Sequence, residues 1–275
     1  MYAKAFVLNS QTLEPLAYSY STKVAEGATV FTIGDSTMQT YDTIEARQND
    51  NGMTGWVQVL PLAVKDNSIA INNKAVAGTS TLSFTNEGYI YPVYENIKQG
   101  DYLVIQFGHN DEKPWMDQDA AKNFSPLEEK HQSHPNANPV PDWAKSRKTY
   151  EQWLRDYAAA ARMKGAQVIF ATSIYRHAFN NGQPAYSHYG YPEAMVDTAN
   201  ETDIPVLDLC TRSGEWLGKY GEAGSLKFYL AFHGGTDHTH LTYDGAVEIA
   251  NMAIGEMNRI GHPLAECFGA VPQRN

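Results

Sequence analysis

Val30-Phe31-Thr32-Ile33-Gly34-Asp35-Ser36-Thr37-Met38 is the stretch on which the reading of this chain turns. The segment that opens it, Ala28–Ile33, is apolar apart from Thr29 and Thr32 and rich in β-branched and aromatic residues. That pattern suits a central strand of a parallel sheet, covered on both faces. The strand stops at a glycine, and a carboxylate and a hydroxyl follow at once. Ser36 is therefore a candidate nucleophile. Taken alone, a serine after Gly-Asp is an ordinary turn or helix-capping residue, so the reading depends on what the rest of the chain supplies.

Working outward, four more strands are expected: Ser68–Val76, Tyr102–Phe107, Gln167–Thr172 and Ile204–Leu209. Helical spacing of apolar residues predicts a long helix over Lys145–Lys164, with Gly165 placed to stop it. Shorter helices are expected near Trp56–Pro61, over Tyr89–Ile97 and Pro192–Ala199, and from Thr242 onward. Strands alternating with helices imply an α/β protein with a five-stranded, mainly parallel sheet covered on both faces. In such sheets ligands sit at the carboxyl ends of the strands. Gly34-Asp35-Ser36, Ala77-Gly78-Thr79 and Gly108-His109-Asn110 each follow a predicted strand, so three polar turns converge on one edge. Residues 28–275 read as one domain, with residues 1–27 as a partly stranded N-terminal extension packed on it. A proline-rich insert at 112–143 is longer than an ordinary connection and suits a lid or a flexible loop. His131 and His134 in that insert are expected to be solvated.

Acyl transfer needs a nucleophile, a base, an acid that orients the base, and donors for the oxyanion. Asp237-His238-Thr239-His240 stands just before the last predicted helix. Asp237 and His240 are three apart, which in a helical turn places them on one face. The carboxylate could then hold one imidazole nitrogen and aim the other at Ser36. His238 is the competing base. The backbone N–H groups of Ser36 and Gly78 and the side-chain amide of Asn110 are candidate oxyanion donors, with Gly78 allowing close approach of bare backbone. Rival machineries lack their motifs: there is no Gly-x-Ser-x-Gly elbow, phosphate-binding loop, Gly-x-Gly-x-x-Gly or His-Glu-x-x-His. A zinc site on Asp237, His238 and His240 is the alternative chemistry.

The 275 residues carry a formal net charge of −10 and no Lys/Arg-rich run, which speaks against a nucleic-acid partner. No apolar run approaches the roughly 18 residues that a membrane span needs. Cys210 and Cys267 form no Cys-x-x-Cys pair and read as two buried thiols. No signal peptide is visible in the first twenty residues.

Together these blocks resemble the SGNH, or GDSL-type, hydrolases, serine esterases whose motifs carry Ser, Gly, Asn and His in this order. The matching segments are Gly34-Asp35-Ser36, Ala77-Gly78-Thr79-Ser80, Gly108-His109-Asn110-Asp111 and Asp237-x-x-His240. Gly34–Thr37, Asn73–Ser80, Phe107–Asp111, Tyr175–Phe179 and Tyr191–Ala194 look most like the rhamnogalacturonan acetylesterases. His177 stands where a second arginine is common in that subgroup, and the insert is a further departure.

The resemblance implies a flavodoxin-like α/β/α sandwich. It also implies removal of O-acetyl groups from a pectic polysaccharide through an acetyl-enzyme on Ser36, with Asp237 and His240 completing a triad and no metal or cofactor. The expected partner is an acetylated polysaccharide or oligosaccharide, with neither nucleic acid nor membrane involved and the oligomeric state left open. Thr37, Arg176, His177 and Trp115 are candidate substrate contacts, with Lys113 beside Trp115. An acetylxylan esterase or a broad short-chain esterase with the same triad is the nearest alternative, and an inactive carbohydrate-binding module is the alternative of another class. Acetylated pectin is extracellular, which favours a secreted or periplasmic protein whose signal peptide is absent here; a cytoplasmic site of action remains the alternative.

Overall fold

The computed structural model describes residues 2–8, 15–21, 23–113 and 119–274, with side chains for the last two ranges. β1 (Tyr2–Leu8) and β2 (Pro15–Ser21) pair antiparallel, Tyr2 opposite Ser21. The central sheet is built from β3 (Thr29–Gly34), β4 (Ala70–Asn73), β5 (Tyr102–Gln106) and β6 (Gln167–Ala171). After a small hairpin, β7 (Phe179–Asn180) with β8 (Gln183–Pro184), the two-residue β9 (Val206–Leu207) closes it. The spatial order is β4-β3-β5-β6-β9, and every pair is parallel.

Strand alternation explains the layers. Val30, Tyr102, Val104, Ile169, Ala171 and Leu207 face one apolar core, while Phe31, Ile33, Leu103, Ile105, Val168, Phe170 and Val206 face another. Successive residues of a strand point to opposite faces, so a strand with no polar face must be covered twice. The first core is closed by α2 (Trp56–Val59), α9 (Leu209–Ser225) and α10 (Tyr243–Arg259). The second is closed by α3 (Thr81–Asn86), α4 (Tyr91–Asn96), α7 (Tyr150–Met163) and α8 (Tyr191–Glu201). This is the expected three-layer α/β/α sandwich. α1 (Ile44–Asp50) is short, with none of its residues buried. The order also fixes where a site can form. From β3 the chain steps to β4 on one side and to β5 on the other, and at such a switch point the connections leave a crevice at the carboxyl ends. Ser36 follows β3 and Asn110 follows β5.

The long helix expected over 145–164 is seen at Tyr150–Met163. Thr149 and Gln152 form a reciprocal capping box at its start, and Gly165 has φ +80° at its end. Cys210 and Cys267 are both buried free thiols. Among the described residues no helix is long and apolar enough to cross a membrane.

The described part of the insert is not an open loop. It carries α5 (Ala120–Asn123), α6 (Glu129–Gln132) and a 3₁₀ turn at Asp142–Ala144. Tyr150 N–H donates to the Pro126 carbonyl, and the Tyr191 hydroxyl donates to that of Ser125. His131, expected to be solvated, is buried instead. Its Nδ1 lies 2.6 Å from Glu151 of α7 and its Nε2 3.0 Å from Asp197 of α8. Burial works against the charged ring, but the two carboxylates prevail and raise its pKa to about 9. The ring is an imidazolium strut between insert and sandwich.

A folded-state pKa above the unfolded value of about 6.5 means stability that is fully present below pH 6.5 and lost as pH rises through about 9. His131→Gln also leaves the buried Glu151 without its cation, at a cost on the order of 3 kcal/mol. Urea unfolding of both proteins should show a wide gap at pH 6 that closes near pH 10. A gap of constant width across that range would mean that His131 acts by packing alone.

Candidate active site

The site rises from three turns at the carboxyl edge of the sheet. The first carries Ser36. Gly34 ends β3 under tight contact, since a Cβ there would stand 2.4 Å from the Met38 sulfur and 2.5 Å from the Gln106 carbonyl. Asp35 turns inward and is fully buried. Its Oδ1 accepts from the Thr37 N–H at 2.9 Å and the Thr37 hydroxyl at 2.8 Å, and its Oδ2 meets His109 Nδ1 at 3.1 Å. Burial alone would raise the Asp35 pKa, but His109 and Thr37 pull it below the usual carboxylate range. The other nitrogen of His109 lies 3.0 Å from the Ile174 carbonyl. A carboxylate thus ties the serine turn to the turn after β5 and the chain beyond β6. The Tyr41 hydroxyl donates to the Ser36 carbonyl at 2.7 Å.

The Ser36 hydroxyl oxygen lies 2.8 Å from His240 Nε2, and His240 Nδ1 lies 2.7 Å from Asp237 Oδ2. The three residues expected to act together therefore form one continuous chain of hydrogen bonds. The segment Asp237–His240 is not helical, as the spacing had suggested. Asp237 Oδ1 instead accepts from the N–H groups of Thr239 at 3.1 Å and His240 at 3.0 Å. One carboxylate oxygen folds the turn while the other holds the ring, which is why a three-residue spacing works without a helix. Burial pushes the Asp237 pKa up, but the bonds from His240 and Thr239 outweigh it and keep it below the usual range. Ser36 is 8% exposed, and the side chains of His240 and Asp237 are 26% and 35% exposed. The hydroxyl thus sits just below the surface, under an accessible imidazole.

Gly78 follows β4 with φ +75°, a conformation that favours glycine, and a Cβ there would meet nothing within 4 Å. The backbone angle, not crowding, requires the glycine, and the space beside it is open. The Asn110 amide donates one hydrogen to the Thr79 carbonyl at 2.8 Å, which fixes its plane and leaves its second hydrogen available. Asp111 seconds this arrangement. Its Oδ1 accepts from the Thr81 N–H at 3.0 Å and hydroxyl at 2.5 Å, while Oδ2 has no hydrogen-bond partner among the described residues. Burial raises its pKa to about 7.

The expected substrate contacts fare differently. Thr37 is 1% exposed, and its hydroxyl is engaged by Asp35, with Gln106 Oε1 at 3.2 Å, so it supports the turn from below. Arg176 pairs with the buried Glu112 at 2.5 Å and donates to the His109 carbonyl at 3.3 Å, leaving 24% of its side chain open. His188 Nδ1 meets the same Glu112 at 3.1 Å. His177 is buried, with its ring between His238, Glu222 and Ser225. Lys113 pairs with Asp119. Trp115 lies outside the described residues. The imagined metal set is split, because the His238 ring turns to His177 while the His240 ring turns to Ser36 and Asp237. The clamp of Asp35 on His109, the Tyr41 contact and the Glu112–His188 pair went unrecognised in the sequence. His109 and Asp111 at least sit inside a recognised block, whereas nothing local marks Tyr41, Glu112 or His188.

Residues 32–246 match the model of the GDSL-like lipase/acylhydrolase family. The chain belongs to this family. It is an ester hydrolase. The GDSL-like match runs from inside β3 to the first turn of α10 and so takes in all three turns and the Asp237–His240 segment.

Among its relatives is the rhamnogalacturonan acetylesterase RhgT of Bacillus subtilis (strain 168). It is 33% identical over 247 residues, covering 86% of this chain and 92% of the relative. The rhamnogalacturonan acetylesterase of Emericella nidulans is 25% identical over 251 residues, covering 90% and 89%. Among solved structures, an acetylxylan esterase of Geobacillus stearothermophilus shares the GDSL-like fold. Its TM-score is 0.58 at 18% identity, over 86% of this chain and 96% of that one.

Proposed function

We propose that this GDSL-like hydrolase removes O-acetyl groups from a pectic polysaccharide of the rhamnogalacturonan type, with Ser36 as nucleophile. The observation that carries the reaction is the Ser36–His240–Asp237 chain of hydrogen bonds at the open carboxyl edge. The substrate class is supported by relatives of that name at 25–33% identity over most of both chains.

Ser36 Oγ attacks the acetyl carbonyl as its proton passes to His240 Nε2, and the ionised Asp237 stabilises the imidazolium. The oxyanion is held by the Ser36 and Gly78 N–H groups and the free hydrogen of the Asn110 amide. Collapse breaks the bond to the sugar oxygen, which takes the proton from His240 Nε2 and leaves acetyl-Ser36. Water then attacks the acetyl carbon, again losing a proton to His240, and acetate departs as Ser36 recovers its hydrogen.

Acetate release is to be measured from acetylated rhamnogalacturonan, acetylxylan and a series of simple esters of rising acyl length, with Ser36→Ala as control. The pectic polymer should be the best substrate by kcat/KM. Preference for acetylxylan, or for long acyl chains, would replace this reading with that of a xylan or broad esterase. Asn110→Ala should lower kcat by about 100- to 1,000-fold, the usual effect of one oxyanion donor. Because its amide also anchors Thr79, circular dichroism must show an intact fold in the same sample. An unchanged kcat would remove Asn110 from the oxyanion hole.

A further inference from the structure

Beside the Ser36–His240–Asp237 chain stands a pair of histidines that the reaction does not use. His177 follows β6, at the same sheet edge as Ser36 and Asn110. Its N–H donates to the His238 carbonyl at 2.7 Å, and the two rings stack at 18° with centroids 5.4 Å apart. Their Nδ1 atoms are 3.2 Å apart.

The hydrogen-bond inventory orders the protons. His177 Nε2 faces the Glu222 carbonyl at 2.9 Å, which can only accept, so this nitrogen carries a hydrogen. The Ser225 oxygen, 3.1 Å away, accepts from the same N–H, since its own hydrogen goes to the Gly221 carbonyl at 2.6 Å. His177 is 6% exposed, and burial lowers its pKa, which favours the neutral ring. Neutral His177 then has a bare Nδ1, and the ring atom that faces it and can donate is His238 Nδ1–H, 3.2 Å away. The neutral His238 ring is thereby held with its hydrogen on Nδ1 and its lone pair on Nε2.

His238 itself is exposed. It lies between Asp237 and His240 in the chain, and its backbone is tied to the turn after β6. We propose that His238 is a specificity-determining residue: its Nε2 accepts a hydrogen bond from a hydroxyl of the acetylated saccharide, with His177 as the positioning residue that fixes the tautomer. The role foreseen for His177 thus passes to its neighbour. This proposal rests on the saccharide esterase reading. A bare ester such as p-nitrophenyl acetate carries no sugar hydroxyl and cannot make the contact.

The test compares His238→Ala, His238→Gln and His177→Phe with wild type on an acetylated pectic oligosaccharide and on p-nitrophenyl acetate. Side-chain ¹⁵N spectra of the histidines are recorded alongside. In wild type at a pH where His238 is neutral, its hydrogen should reside on Nδ1, and His177→Phe should release it to a mixture of tautomers. His238→Ala should lower kcat/KM on the oligosaccharide about five- to tenfold more than on the simple ester, the size of one uncharged hydrogen bond. Most of that loss should appear in KM. His238→Gln, whose amide oxygen can accept, should recover part of it.

Equal losses on both esters would assign His238 to the triad and overturn the contact. An oligosaccharide rate unchanged in His238→Ala, or a hydrogen on Nε2 in wild type, would overturn it too. A wild type that cleaves p-nitrophenyl acetate but no acetylated saccharide would overturn the proposed function and the contact with it. Activity on the saccharide with no effect of His238→Ala overturns the contact alone.

Discussion

Ser36→Ala should lower kcat on an acetyl ester by about 10⁴- to 10⁶-fold, the range seen when a triad nucleophile is removed. The loss is large because the acyl intermediate forms on the Ser36 hydroxyl, the one that His240 Nε2 faces. Thr37 is the nearest hydroxyl in sequence, but it is buried and engaged by Asp35. The remaining activity would come from binding and the oxyanion donors acting on a water molecule. Stability should barely move. The serine hydroxyl gives up one hydrogen bond, to a partly exposed imidazole, a cost of at most about 1 kcal/mol. The bond from Tyr41 reaches the Ser36 backbone carbonyl and is kept. The check is acetate release at saturating substrate alongside a thermal melt of the same preparation. Turnover above about one hundredth of wild type, with an unchanged melt, would exclude Ser36 as the nucleophile.

The fold was legible where burial leaves a periodic trace. Continuous apolarity marked β3, β5 and β6, because a strand covered on both faces can carry almost nothing polar. α9 left no such trace. Its seventeen residues include Gly214, Gly218, Gly221 and Gly224, each unfavourable in a helix. Packing overrides that preference: a Cβ at Gly214 would stand 3.0 Å from the Tyr175 ring, so the helix needs the glycine to lie this close. Gly221, at φ 68° and ψ 171°, kinks the helix. α3 was hidden by its cap, where Ser83 takes the place usual for glutamate or glutamine and bonds back to Ser80. The insert misled because five prolines and many polar residues resemble a mobile loop. What docks it is pairing between distant groups, His131 with Glu151 and Asp197, and no local pattern encodes such contacts.

The site was more legible than the surfaces around it. Ser36, Gly78 and Asn110 each lie within five residues of the carboxyl end of a parallel strand, so the sheet brings them to one edge. Substrate contacts depend instead on which way a side chain turns after the strand ends. Arg176 and His177 are adjacent in sequence, yet one pairs with Glu112 and the other lies beneath His238. Neither outcome follows from residue type.

Asp237→Asn isolates what the carboxylate does for the base, and kcat should fall by about 10³- to 10⁴-fold with the fold kept. Asp237 offers acceptors on both sides: Oδ1 to the N–H groups of Thr239 and His240, and Oδ2 to the His240 ring. An asparagine can match one side only. If its oxygen stays on the two backbone N–H groups, its NH₂ faces His240 Nδ1. The ring must then present a lone pair there and carry its hydrogen on Nε2, so it can no longer take the proton of Ser36. If the amide flips, the ring is held correctly, but the NH₂ meets two backbone donors and the turn opens. Two backbone bonds outnumber one ring bond, so the first arrangement should dominate and the defect should fall on kcat. KM should change little, because the carboxylate is turned toward the protein. The measurement is kcat and KM on an acetyl ester with the ¹⁵N signals of His240, whose hydrogen should move from Nδ1 to Nε2. A kcat within tenfold of wild type, with the hydrogen still on Nδ1, would show that the base does not depend on Asp237 for its tautomer.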